Sequence, residues 1–225
     1  MGLPSVGPAA RCLIEDSRMS RDLNIFSKCI LGCGLALAVL VPLGSAHAGG
    51  FVLYSFCSVA NCTDGANPKA GLIADGAGNL YSTTYFGGAD GFAVVFKLAP
   101  DGTETVLHSF TGGSDGTSPC AGLIMDSSGN LYSTTSDGGA DGDGVVFKLA
   151  PDSTEKVLYS FTGGSDGSLP GAGLIMDKKG NLYGTAEEGG AHGAGVVFKL
   201  APNGTVTVLH SFTRQGSDGG YPPPA

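Results

Sequence analysis

Carboxylates and histidines recur through this chain in patterns that suit a few kinds of chemistry. Asp115, Asp166 and Asp218 each stand in a Ser-Asp-Gly loop. Brought together they would offer the oxygen ligands that a hard cation such as Ca²⁺ requires. Asp141 and Asp143 lie in a Gly-Gly-Ala-Asp-Gly-Asp-Gly-Val run that partly matches a calcium-binding nonapeptide, although its equivalents keep only Asp90 and then place His192 nearby. Calcium on these five carboxylates is the one cofactor the sequence suggests. Capping of their own turns is the plainer use for them.

Glu187, Glu188 and His192 share one loop and include the groups acid–base catalysis uses; a solvated loop is the plainer reading. Asp75, Asp126 and Asp177 each precede a Gly-Asn pair by a fixed offset, which suits turn capping. His108 and His210 occupy the position that holds Tyr54 and Tyr159 elsewhere. A general base does not alternate with tyrosine, so these histidines are expected to be scaffold. No nucleophile elbow, phosphate-cradling loop or zinc signature is present, so catalytic residues are assigned to none. Cys57 and Cys62 are spaced for a local disulfide in an oxidising compartment, and Cys120 stands alone among the later residues.

The elements that position these residues repeat. Gly78-Asn79-Leu80-Tyr81 returns at Gly129 and at Gly180, and Val145-Val146-Phe147-Lys148-Leu149 returns at Val196, each after 51 residues. A fixed period of this length indicates a modular architecture in which each unit is one supersecondary motif. Four short strands are expected per unit; in the second they span 123–126, 130–135, 144–150 and 155–161. They are rich in Val, Leu, Tyr, Phe and Thr, and bounded by Gly, Pro, Asp and Asn. Pro100-Asp101-Gly102 and Pro202-Asn203-Gly204 read as tight hairpin turns, whereas Ser153 replaces the glycine in the second unit and should be strained. Val145, Phe147 and Leu149 point to one face of their strand and Val146 to the other, so both faces are apolar. Four antiparallel strands in about 50 residues, apolar on both faces, match a blade of a β-propeller. The fold class is therefore all-β, with propeller-like four-stranded blades. There are about three and a half units, the fourth breaking off after Asp218-Gly219-Gly220-Tyr221-Pro222. Closed propellers usually need about four to eight blades, so a fragment of a longer protein is expected first and copies that associate to complete a ring second. In a chain folded alone, open blade faces and strand edges would invite self-association.

Residues 1–48 read as a signal-peptide region, with Met19 as a candidate true start. Arg21 and Lys28 precede an uncharged apolar run at 30–43, and Ala46-His47-Ala48 supplies a peptidase site. That run is shorter than the ~20 residues a transmembrane helix needs. The expected mature domain is 49–225, exported to the cell surface, the periplasm or the medium, with no membrane segment after cleavage. The net charge of −8, with Lys178-Lys179 the densest basic pair beyond the leader, argues against nucleic acid as partner.

The Gly-Asn-Leu-Tyr turn, Val-Val-Phe-Lys-Leu, and Val-Leu-His-Ser-Phe followed by Thr-Gly-Gly-Ser-Asp-Gly together resemble the GloVer tandem repeat of exported bacterial "choice-of-anchor" proteins. The resemblance covers 51–225. It implies export, propeller-like blades and a variable sorting signal after the repeats, and it implies no reaction; here the chain ends without such a signal. The expected function is a non-enzymatic exported repeat protein, structural or binding an extracellular polymer or protein through its blade loops. Two alternatives are a propeller enzyme (lactonase, lyase or glycan-active hydrolase) and a carbohydrate-binding module using Tyr85 or Tyr221.

Overall fold

Short runs of β-branched and aromatic residues alternate with glycine-rich turns, and each run becomes a strand. The computed structural model describes residues 11–13, 51–214 and 218. The expected leader thus lies outside the described residues, apart from strand β1 (Arg11–Leu13). A second strand, β2 (Val52–Ser55), precedes a 3-10 turn at Ala60–Cys62. The three blades belong to one compact unit.

The first blade is an antiparallel meander of β3 (Ile73–Ala74), β4 (Leu80–Thr83), β5 (Ala93–Leu98) and β6 (Glu104–Phe110). The second comprises β7 (Ile124–Met125), β8 (Leu131–Thr135), β9 (Val145–Leu149) and β10 (Glu155–Ser160). The third comprises β11 (Ile175–Met176), β12 (Leu182–Ala186), β13 (Val196–Leu200) and β14 (Val206–Ser211). The expected strands are all present, the first of each blade shorter than its apolar run suggested. The turns behave as their chemistry requires. Gly102 and Gly204 take φ of +86° in the hairpin between the last two strands, and Ser153 is driven to +66° in the same place.

Apolar residues on both strand faces give a core between each pair of sheets. Val145, Phe147 and Leu149 face the first blade and cluster with Ala93, Val95 and Phe110. Val146 faces the other way, into a cluster with Phe161, Val196 and Phe198 of the third blade. A smaller cluster joins Phe56 to Val94 and Phe96. At each interface a phenylalanine from the end of one unit meets the central strand of the next edge to face. The pairs are Phe56–Phe96, Phe110–Phe147 and Phe161–Phe198, with ring centroids 4.7, 5.3 and 5.1 Å apart. The stack is thus a set of propeller-like blades packed face to face. On the far side of the third blade Ile175 is 69% exposed and Leu209 52% exposed. Their counterparts Ile124 and Leu158 are half-buried against the third blade.

A register shift interrupts the last strand of every blade, between the partners of Val95 and Phe96, of Val146 and Phe147, and of Val197 and Phe198. Such a bulge re-aims the side chains beyond it. It lets Leu158, Tyr159 and Phe161 all pack against the third-blade cluster despite their odd and even numbers.

Candidate functional site

Three sets of polar residues recur, and each can be traced from its local turn. The first is the Asp-x-x-Gly-Asn turn between the first two strands of a blade. Asp126 accepts from the backbone N–H groups of Ser128 and Asn130, from Asn130 Nδ2 and from the Tyr132 hydroxyl. Asp75 and Asp177 repeat the arrangement with Tyr81 and Tyr183. The Asn79 and Asn181 amides hold these two carboxyls down to about 2. The acidic residue is consumed by capping, as its spacing indicated.

The second set lies between blades. Asp166 accepts from Thr162 N and Oγ1 and from the Tyr159 hydroxyl at 2.8 Å. Asp64 is held likewise by Ser58 and the Tyr54 hydroxyl. At Asp115 and Asp218 the tyrosine is replaced by histidine. His108 Nε2 lies 3.4 Å from Asp115 and His210 Nε2 lies 3.6 Å from Asp218. Thr111 and Thr213 donate to these carboxylates through N and Oγ1. Tyr54 and Tyr159 donate a hydrogen bond to their carboxylates, whereas the buried His108 Nε2 approaches Asp115 without making one. Burial alone would raise the Asp115 and Asp166 carboxyls, but these donors outweigh it and hold both below their ordinary value. Burial depresses His108 despite the opposing pull of Asp115. His108 is therefore replaceable by the residue its neighbour uses. His108→Tyr is expected to raise stability at pH 7, read from urea midpoints, by about 0.5–1.5 kcal/mol, because a tyrosine hydroxyl at this place donates to the carboxylate as Tyr159 does to Asp166.

The sequence reading missed two members of this set, Glu104 and Glu155. Each begins the last strand of a blade, where the third blade has Val206. Burial, then the charge of Asp64, pushes Glu104 up to about 7; burial, then Asp115, does the same to Glu155. Glu104 Oε1, Glu155 Oε1 and Asp64 Oδ1 are all buried without a hydrogen-bond partner. The available signal was a charged residue at a position otherwise filled by valine.

The third set is the loop joining the second and third strands. It is held in each unit by an antiparallel bridge to the preceding loop, Ala66–Phe86, Thr117–Asp137 and Ser168–Glu188. Gly87, Gly138 and Gly189 make this close approach feasible. A Cβ there would lie 2.6–2.7 Å from the Cα of Gly65, Gly116 or Gly167. The bridge repeats but the side chains do not. Tyr85, Phe86 and Phe92 occupy the first loop, Ser136, Asp137 and Asp143 the second, Glu187, Glu188 and Ala194 the third. Phe86 and Phe92 are 48% and 42% exposed, and Lys69 Nζ sits 3.6 Å from the Tyr85 ring centroid.

The remaining candidates stay apart. Asp141 is exposed at a loop tip, and Asp143 covers Gly163. Glu187, Glu188 and His192 are exposed, and among the described residues no ion pair joins His192 to either glutamate. Among the described residues no group of three or more His, Cys, Asp or Glu is placed to hold a metal ion. Cys57 is bonded to Cys62, and Cys120 is half-buried near the Ser136 hydroxyl. Tyr221 lies outside the described residues. Among the described residues no helix is long and apolar enough to cross a membrane.

Stacked four-stranded blades, tied by aromatic pairs and by a repeated carboxylate cap, define a propeller-like tandem-repeat protein. The chain belongs to the family described as the Gloeobacter/Verrucomicrobia repeat, whose pattern matches residues 45–224. Among solved structures it is similar to a gluconolactonase of Xanthomonas campestris, at 16% identity and a TM-score of 0.46, over 73% of this chain and 52% of that one. It is also similar to a luciferin-regenerating enzyme, at 17% identity and a TM-score of 0.42, over 64% of this chain and 45% of that one. The chain spans about half the length of these structures. No curated protein matches it.

Proposed function

We propose that this chain is a non-enzymatic, exported scaffold that binds an extracellular polymer or protein through the loops between the second and third strands of its blades. One observation carries the reading: a loop held by the same bridge in every unit presents different side chains in each. Binding surfaces are commonly built in this way, with variable loops on a rigid repeated frame. The repeated carboxylates support it too, because their oxygens accept hydrogen bonds from their own blade. Calcium has no part in this reading. The basic-apolar leader and the Cys57–Cys62 bond support export.

The aromatic loop is where contact with a ligand is expected. Retention on insoluble cellulose, chitin and peptidoglycan, compared between the wild type and Phe86→Ala/Phe92→Ala, tests it. The wild type should be retained on at least one matrix and the double variant should lose at least tenfold in affinity, with an unchanged thermal midpoint. Hydrolysis of gluconolactone by the wild type, abolished in Glu187→Gln, would replace this reading with an enzymatic one.

A further inference from the structure

At the opposite end of the blades, where the Asp-x-x-Gly-Asn turns meet the proline hairpins, lysines line two neighbouring recesses. An open recess of about 440 Å³ lies between the second and third blades, with Tyr132, Lys148, Lys156 and Leu158 on one wall and Leu200 and Pro202 on the other. No carboxylate lines it. A second, shallower recess adjoins it across Pro202 and is lined by Lys178, Lys179, Lys199 and Tyr183, with Asp177 already committed to its turn. These two recesses hold five of the eight basic residues that follow position 48. Among the described residues none of the five is ion-paired.

The lysines are also where the repeat is broken. Lys148 and Lys156 are direct cross-strand partners, whereas Lys97 faces Thr105 and Lys199 faces Thr207. Like charges directly opposite one another destabilise a sheet, so the second lysine works against the fold. Lys178-Lys179 stand where the other turns have Gly76-Ala77 and Ser127-Ser128. Lys156, Lys178 and Lys179 are thus three departures from the repeat that line the two recesses meeting at Pro202.

We propose that this recess binds a carboxylate-bearing polysaccharide. Lys148 and Lys156 would pair with one sugar carboxylate, and Lys178 and Lys179 with another further along the chain. Leu158, Leu200 and Pro202 give an apolar wall for the C–H face of a sugar ring. A uronate chain carries one charge per ring, a density that a few lysines can match. Double-stranded DNA carries one per ~1.7 Å, and binding it takes far more cationic contacts than an acidic protein offers here.

The test measures affinity for soluble polygalacturonate, with dextran and single-stranded DNA as comparison polymers. The wild type is expected to bind polygalacturonate, to release it as salt is raised, and to ignore dextran. Lys148→Gln/Lys156→Gln should weaken binding at least tenfold while raising the thermal midpoint at low salt, since it removes a repulsion. That rise excludes unfolding as the cause of the loss. Lys97→Gln, outside the recess, should bind as the wild type does. Equal binding by the double variant, no binding by the wild type, or equal affinity for single-stranded DNA would each overturn the proposal. The loop-binding reading would stand in all three cases, because its Phe86 and Phe92 lie at the other end of the blades.

Discussion

Phe147→Ala should cost about 3–5 kcal/mol of unfolding free energy, the usual cost of emptying a buried phenylalanine site. Phe147 is 0% exposed, fills the cluster between the first two blades and meets Phe110 edge to face. A single domain has about 5–15 kcal/mol in total, so the loss is a large share of what holds the stack together. Phe198→Ala should cost a similar amount, because Phe198 takes the same place against Phe161. Phe86→Ala, which removes an exposed ring, should fall within about 0.5 kcal/mol of the wild type. Guanidinium midpoints measure all three. A cost at Phe147 no larger than at Phe86 would mean that the blades do not depend on face-to-face contact. Phe212 adds a graded comparison, since it is only half-buried where Phe110 and Phe161 are buried, and its replacement should cost least of the repeated rings.

The contrast between these positions was legible in the sequence because it is periodic. A strand buried on both faces needs apolar residues at odd and even positions, and Val145, Val146, Phe147 and Leu149 supply them at a spacing that recurs. The turns were legible for a similar reason, since Ser153 stands in a frame whose other copies are glycine, and its positive φ follows. What the period could not show is contact between units. Glu104 and Asp64 are forty residues apart in sequence, and their electrostatic opposition depends on which face β6 turns to the preceding unit. The basic recess is hidden by the same cause, because Lys148 and Lys156 meet only through the strand register, and the recess of Lys178 and Lys179 adjoins theirs only at Pro202. Asp115, Asp166 and Asp218 stand in a recurring Ser-Asp-Gly frame that suits turn capping or a cation, and the sequence alone does not show which donors surround each carboxylate. Thr111, Thr162 and Thr213 turn each carboxylate into its own loop.

Raising pH from about 4.5 to above 7 should destabilise the protein through Glu104 and Glu155, and glutamine at these positions should remove the effect. Both carboxyls are raised to about 7 from an ordinary value of 4.5. The folded state therefore holds their protons more tightly than the unfolded chain does. The stability this confers is complete below about 4.5 and is lost as pH rises through about 7. Both side chains are only half-buried, so solvent screening leaves on the order of 1 kcal/mol for each. Other groups titrate against them. His108, depressed by burial, makes folding more favourable as pH rises toward its ordinary value, and it shares its interface with Glu155 and Asp115. Glu104 is the cleaner probe, because Tyr54 takes the histidine's place beside Asp64 and does not ionise in this range. Asp64, Asp115 and Asp166 are all lowered, and the stability they confer is present above about 3.8 and lost only in acid. Glu104→Gln should thus match the wild type at pH 4.5 and exceed it by about 1 kcal/mol at pH 8, read from urea midpoints across the range. Val206 is the natural precedent, an uncharged residue at the same place in the third blade. A variant whose advantage is equal at both pH values would show that Glu104 is destabilising by shape and not by charge.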